Sequence, residues 1–162
     1  MSTARNTLLD FFDDLAHASG EFFVYDDGFR SRSYSYAQVG CAARRFAARL
    51  ADAGIHKGAT VVFWSENRPE WIAAFWGCLL CGVVVVPVDY RSSPDLLARI
   101  SRIVAATLVL IGKDVPSLPT AFDVPAWAMD GVEWRVGVPP PVVITRDDVA
   151  EIIFTSGATG DP

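Results

Sequence analysis

WIAAFWGCLLCGVVVVPV, Trp71 to Val88, runs for eighteen residues without a charge. That length is enough to cross a membrane as a helix. The run changes character halfway, however, from helix-forming residues to four consecutive valines, with Gly82 at the joint and Pro87 near the end. A buried helix stopped by Gly82 and followed by a buried parallel strand is the expected structure, with a membrane span as the alternative.

The flanks agree with the first reading. Upstream, ATVVFW after Gly58 is a short apolar strand, and Ser65-Glu-Asn-Arg-Pro69 carries a cap-and-proline signal for the helix that follows. Downstream, Ser93-Pro94 repeats that signal, LLARISRIVAA supplies an amphipathic helix, and TLVLIG supplies a strand. Strand, helix, strand, helix, strand is the rhythm of a mostly parallel sheet flanked by helices, so the fold class is α/β.

Nearer the start, Thr7 is placed to cap a helix with Leu8, Phe11, Phe12 and Leu15 on one face, ending near Gly20. EFFVYDDGFRSRSY reads as a hairpin turning at Asp27-Gly28. Ser35 and Gln38 form a capping-box pair ahead of a helix striped by Val39, Ala42, Ala43, Phe46 and Leu50 and stopped by Gly54. Arg44, Arg45 and Arg49 fall away from that stripe, as a solvated face does. Between Gly112 and Pro141 six prolines interrupt any periodicity; AWAM is a candidate short strand in an otherwise surface-running connection. Residues 147–154 read as a further strand. The expected divisions are a helix and hairpin over 1–32, the βαβ core over 33–112, an irregular connection over 113–146, and a strand with its loop over 147–162.

Composition limits the function. Of 162 residues, 51% are hydrophobic and 20% charged, so the chain is expected to fold around a real core. A net charge of −5 without a basic run argues against nucleic acid. Three cysteines, Cys41, Cys78 and Cys81, are an odd set unlike a disulfide scaffold, and MSTARNTLLDFFDDL has no apolar leader segment; both point to the cytoplasm. Cys78 and Cys81 are spaced C-x-x-C, but inside an apolar helix and without a second pair, which favours packing over zinc or redox work. His17 and His56 stand without a paired acid or nucleophile in sequence. Trp71, Phe75 and Trp76 fit either a core or the wall of an acyl tunnel, and Arg91 either a surface turn or a ligand contact at the edge of the sheet.

The last residues carry the chemistry. FTSGATGDP, Phe154 to Pro162, combines Gly157 and Gly160 with the hydroxyls of Thr155, Ser156 and Thr159. Glycine lets phosphate oxygens come close to backbone N–H groups, and hydroxyls donate to phosphate or meet a metal ion. The P-loop pattern of kinases and GTPases is missing, since the glycines are three apart and no lysine follows. On residue content alone, a plain turn and a phosphate loop both stay open.

DDVAEIIFTSGATGDP, residues 147–162, closely resembles the signature of the acyl-adenylate-forming enzymes, the AMP-dependent synthetase and ligase family. Their loop reads Tyr or Phe, then T-S-G, then Ser or Thr, then T-G-x-P-K-G. SYSYAQVGCAARRFAARLADAGIHKGATVVFW and GCLLCGVVVVPVDYRSSPDLLARI resemble two earlier landmarks of the same family, in the same order. SENRPEW is most like the fatty-acyl-CoA ligases.

The resemblance implies the N-terminal subdomain of the adenylate-forming fold, truncated within the phosphate loop. It implies a parent enzyme in which the carboxylate of an acid attacks the α-phosphorus of ATP, giving acyl-AMP and pyrophosphate, before the acyl group passes to coenzyme A. Thr155, Ser156, Gly157, Ala158, Thr159 and Gly160 would hold the β- and γ-phosphates, with Thr155 or Ser156 near Mg²⁺. Ala158 stands where the family has Ser or Thr, which removes one hydroxyl. The resemblance places no catalytic residue in these 162 positions, so the chain by itself is expected to be inactive and to hold ATP weakly. The alternative is a non-catalytic module that self-associates or pairs with a complementary chain through an exposed sheet edge.

Overall fold

The computed structural model describes residues 5–155. The uncharged run divides as its composition suggests. Helix α3, Pro69–Leu80, is followed after Gly82 by strand β4, Val84–Val88. The joint is a Schellman turn: Val83 N–H donates to Cys78 O at 2.9 Å and Gly82 N–H to Leu79 O at 3.0 Å. Gly82 has φ +66° with the atoms of Lys57 and Ile144 pressed against it, so both its backbone and its surroundings require glycine. Among the described residues no helix is long and apolar enough to cross a membrane.

Ahead of this unit come α1 (Leu9–His17), the antiparallel hairpin β1 (Glu21–Asp26) and β2 (Ser31–Ser35), α2 (Tyr36–Asp52) and β3 (Thr60–Trp64). After it come α4 (Pro94–Ile103), β5 (Leu108–Ile111) and β6 (Ala126–Ala128). The main sheet has the order β4-β3-β5-β6, and its pairs are all parallel. Because β4 and β5 flank β3 on opposite sides, two right-handed crossovers put α3 on one face and α4 on the other.

The strands show the two faces directly. Val61, Phe63, Val85, Leu108 and Leu110 pack with α2 and α3, whereas Val62, Trp64, Val86, Val88 and Val109 pack with Leu97 and Ile100 of α4. Burial on both sides explains why these strands are continuous apolar runs rather than alternating ones. Helices α2 and α3 meet closely through small residues, among them Ala43, Ala73 and Gly77.

Caps follow the sequence in part. Ser35 Oγ accepts from Gln38 N–H at 3.2 Å while Gln38 Oε1 accepts from Ser35 N–H at 2.8 Å, a complete capping box. Ser93 Oγ accepts from Leu96 N–H at 3.2 Å. Thr7, by contrast, is not the N-cap of α1: Leu8 holds that place, and the Asp10 carboxylate reaches back to the N–H groups of Asn6 and Thr7 at 2.7 and 2.8 Å. Nor does Ser65 cap α3, which starts from Arg68 at N-cap with Pro69 at its first position.

Two further expectations are corrected. The three arginines of α2 do not form a simple solvated face. Arg45 Nε donates to Glu133 at 2.7 Å, Arg49 Nη1 to Gly131 O at 2.9 Å, and the guanidinium groups of Arg49 and Arg44 lie over the rings of Trp127 and Phe12 at 4.0 and 5.1 Å. They hold the 127–133 connection and α1 against the helix, with their stems and charge both in use. And residues 147–154 form a single parallel bridge, Glu151 to Val85, rather than a strand. The next donor position on that side of β4 is Pro87, which has no N–H.

Candidate functional site

In a sheet of this kind, ligands sit beyond the carboxyl ends of the strands, near the point where the crossovers diverge. Here that point lies between β3 and β5. Glu66, which follows β3, reaches across to the segment that follows β5. Its carboxylate accepts Arg68 Nη1 at 2.9 Å and the backbone N–H groups of Lys113 and Asp114 at 3.3 and 3.4 Å. Arg68 Nε also donates to Glu70 at 3.2 Å, and the three side chains are only 12–14% exposed. Burial works against the charged form of Glu66, but the guanidinium and the backbone donors outweigh it and the carboxyl stays below its usual range. Gly112 passes so close to Glu66 and Ser65 that a Cβ there would collide with both.

Sequence reading did not isolate this cluster. Its signal is the alternation Glu66, Arg68, Glu70 immediately after a buried strand. At the end of β4, Asp89 and Arg91 form a self-contained turn: Arg91 donates twice to the Asp89 carboxylate, at 3.0 and 2.7 Å, and this holds the Asp89 pKa down to about 2. Both side chains are at least half exposed, and Arg91 reaches no other element through these bonds.

The chain returns to the sheet at residues 143–155. Asp148 accepts from Thr145 N–H and from Lys57 Nζ, both at 2.7 Å, fixing the turn that precedes the bridge. Val85 N–H then donates to Ala150 O at 3.0 Å and Ile152 N–H to Val85 O at 2.9 Å. Because the bridge is parallel, the segment heads toward the carboxyl ends of the strands. Phe154 packs against the second core cluster beside Trp64 and Val88, and Thr155 follows it, exposed to solvent. The stem of the glycine-rich loop is thus on the ligand side of the sheet. Ser156, Gly157, Ala158, Thr159 and Gly160 lie outside the described residues.

The other candidates occupy structural places. Trp71 stacks on Phe75 and meets Phe63 edge-on at 5.2 Å, while Trp76 contacts Phe12 at 5.4 Å. Cys78 and Cys81 are buried, which pushes both thiols up, Cys81 to about 11; the Cys81 thiol donates to Ala47 O at 3.3 Å. His17 Nδ1 lies 2.6 Å from Asp13 O, and His56 is an exposed turn residue.

Comparison with known proteins gives this geometry a context. The chain is 31% identical over 140 residues to an L-proline–[L-prolyl-carrier protein] ligase of Pseudomonas fluorescens, covering 79% of the chain and 28% of that protein. It is 27% identical to a feruloyl-CoA synthase of Amycolatopsis, covering 79% of the chain and 27% of that protein. Among solved structures, a fatty acyl-adenylate ligase from L. pneumophila, in complex with acyl adenylate and pyrophosphate, superposes with a TM-score of 0.74 at 26% identity, covering 94% of the chain and 28% of the other. The chain therefore spans just over a quarter of the length of these relatives. The model of the AMP-binding enzymes matches residues 12–162, the loop and its stem included, and the chain belongs to that family.

Proposed function

We propose that these residues are the N-terminal part of the nucleotide-binding domain of an ATP-dependent, acid-activating ligase. In this reading residues 1–162 supply the α/β scaffold and the phosphate loop, and the acid and adenine pockets lie in the rest of the parent enzyme. The observation that carries it is the family match running unbroken from the βαβ core through FTSGATGDP, with the stem of that loop at the carboxyl ends of the strands.

Thr155, Ser156, Gly157, Ala158, Thr159 and Gly160 grip the β- and γ-phosphates, by backbone N–H groups and by the three hydroxyls, while the carboxylate of the acid attacks the α-phosphorus. The chemistry of the donor set fits: hydroxyls and glycine amides suit a triphosphate carrying Mg²⁺, and Thr155 is exposed at the end of the stem. Mg²⁺ would offset charge on the triphosphate, and Thr155 or Ser156 would be the protein hydroxyl near it. Their contribution is positioning and charge stabilisation, not proton transfer.

For the acid, a fatty acid is the finer reading, supported by SENRPEW and by the likeness to the acyl-adenylate ligase. The acyl group is then handed to a thiol, with coenzyme A as the acceptor we favour. The 162 residues alone turn nothing over, and their compartment is the cytoplasm. The test is pyrophosphate release from ATP with a panel holding fatty acids, proline and ferulic acid. The parent enzyme is expected to respond most to fatty acids and the isolated chain to none; turnover by the isolated chain would overturn its assigned inactivity.

One observation favours self-association as a second reading. Val143, Val149 and Ile153, beside the outer edge of β4, are 56–80% exposed, and such a face favours pairing with another chain. Light scattering decides it, since a strictly monomeric species argues against this reading.

A further inference from the structure

A cavity of about 330 Å³ opens at the amino end of β4, away from the ligand side of the sheet. Its floor is the buried pair Leu79 and Val83, and its walls are Leu8, Phe11, Ile144 and Val149. Three of these, Leu8, Phe11 and Val149, are 45–56% exposed, so the hollow is apolar and open to water at once. We propose that it is a binding site for a small amphipathic carboxylate, with the hydrocarbon part against these walls and the carboxylate on the Arg146 guanidinium.

The walls come from three segments, each fixed by its own bonds. The Asp10 carboxylate accepts from Asn6 and Thr7 N–H at 2.7 and 2.8 Å and sets the approach to α1. The turn after α3 is closed by Val83 N–H on Cys78 O and Gly82 N–H on Leu79 O. Asp148, held by Lys57 Nζ and Thr145 N–H, sets the course of residues 145–148. A preformed hollow with apolar walls and few polar groups is the usual form of a small-molecule site.

Charge decides which molecule fits. Arg5, Asp148 and Arg146 are the charged side chains on the cavity. Asp148 is committed to Lys57 and Thr145, and Arg5 to Asp14 and to the Phe11 ring, 4.6 Å from its guanidinium. Arg146 is exposed and has no partner among the described residues. The uncommitted charge is therefore a guanidinium, which takes a carboxylate through two parallel N–H donors. A wholly polar anion would leave the apolar walls in water, and an ammonium-headed molecule would be repelled by Arg146.

The position gives the ligand its role. Phe154 and Thr155 stand at the other end of β4, so a molecule here is an effector and not the acid that the parent enzyme activates. The inference does not depend on the ligase reading. Val149 and Ala150 line the cavity, and Ala150 O accepts Val85 N–H at 3.0 Å just before the Glu151 bridge. Filling the cavity therefore steadies the segment that leads to the stem.

Titration of the 162-residue chain with octanoate, without nucleotide, tests this by amide and methyl chemical shifts. Leu8, Leu79, Val83, Ile144 and Val149 are expected to shift together and saturably, amide exchange at Ile152 to slow, and octylammonium to move none of them. Arg146→Gln is expected to weaken octanoate by about fivefold at low ionic strength, and Val149→Asp, a change at an exposed position, to abolish binding. No saturable response to octanoate, or an equal response to octylammonium, overturns the proposal, and that comparison needs no variant. So does unchanged affinity in both variants. Shifts that follow protein concentration rather than octanoate also overturn it and make this face a contact between copies of the chain.

Discussion

Lys57 Nζ lies 2.7 Å from Asp148 Oδ2, joining residues 91 apart, and the same ammonium donates to Val143 O at 2.9 Å. This contact ties the turn before the loop stem to the segment that opens β3. The Lys57 ammonium, with help from Thr145, keeps the Asp148 carboxyl below its ordinary 3.8. The depressed value means that the contact contributes fully above that pH and fades as pH falls below it. Lys57→Met is expected to speed amide exchange across 143–152 at pH 7 while leaving β3 and β5 protected. Equal exchange in both proteins would show that the bridge at Val85 holds the segment without the ion pair.

Gly77 is where α3 lies against α2. A Cβ at this position would sit 2.8 Å from Ala43 O and 2.9 Å from Phe46 Cδ1. Gly77→Ala is therefore expected to cost about 1–3 kcal/mol by overpacking, read as a fall in denaturation midpoint. Gly40→Ala is the control. Its Cβ would meet only a flexible Arg44 nitrogen at 3.3 Å and Ala16 at 3.5 Å, so the gain in helix propensity should leave stability unchanged or raised.

Ala105 has φ +47° just past α4, and Ala106 N–H donates to Ser101 O at 2.8 Å. This is the same helix-ending turn that Gly82 makes after α3, but built with a residue that dislikes the left-handed region. Ala105→Gly is expected to stabilise the chain by about 1 kcal/mol at equilibrium unfolding. A destabilised variant would mean that the backbone there is not left-handed.

Glu133 receives Arg45 Nε at 2.7 Å and also pairs with Arg135, and these two guanidinium groups bring its pKa from 4.5 down to about 2. A group depressed in the folded state binds fewer protons there than when unfolded. Its contribution is therefore complete above about pH 4.5 and is lost as pH falls toward 2. Urea midpoints followed from pH 6 to pH 3 should fall less steeply in Glu133→Gln than in the native chain; parallel curves would deny the pair any role.

Much of this fold is legible in the sequence because local and long-range signals coincide. Gly82 breaks a helix and the valines after it can only be a strand; Ser35 with Gln38 announces a helix that an apolar stripe then confirms. The misreadings share a cause. Thr7 and Ser65 look like caps, but a carboxylate three residues on in one case, and an ion-pair cluster in the other, satisfies or occupies the backbone around them. The arginines of α2 look solvated because their partners, Glu133 and Gly131, stand more than 80 residues away. The EIIF segment has the composition of a strand, yet it makes only the Glu151–Val85 bridge, because pairing depends on register against another strand, which composition does not carry. Glu66 stayed unnoticed for the same reason: its meaning lies in the N–H groups of Lys113 and Asp114, supplied from across the sheet. The loop is the least legible part from residue content, since its glycines and hydroxyls suit a plain turn as well as a phosphate grip, and it is the resemblance over residues 147–162 that favours the grip.

The most direct test of the phosphate grip compares nucleotides on the pure chain by amide chemical shifts. Mg-ATP is predicted to perturb Thr155 to Gly160 foremost, and Mg-pyrophosphate to perturb the same residues, while AMP, which has no β- or γ-phosphate, leaves them in place. Perturbation by AMP equal to that by ATP, or no response of Thr155 to Gly160 to either triphosphate or pyrophosphate, would contradict the account.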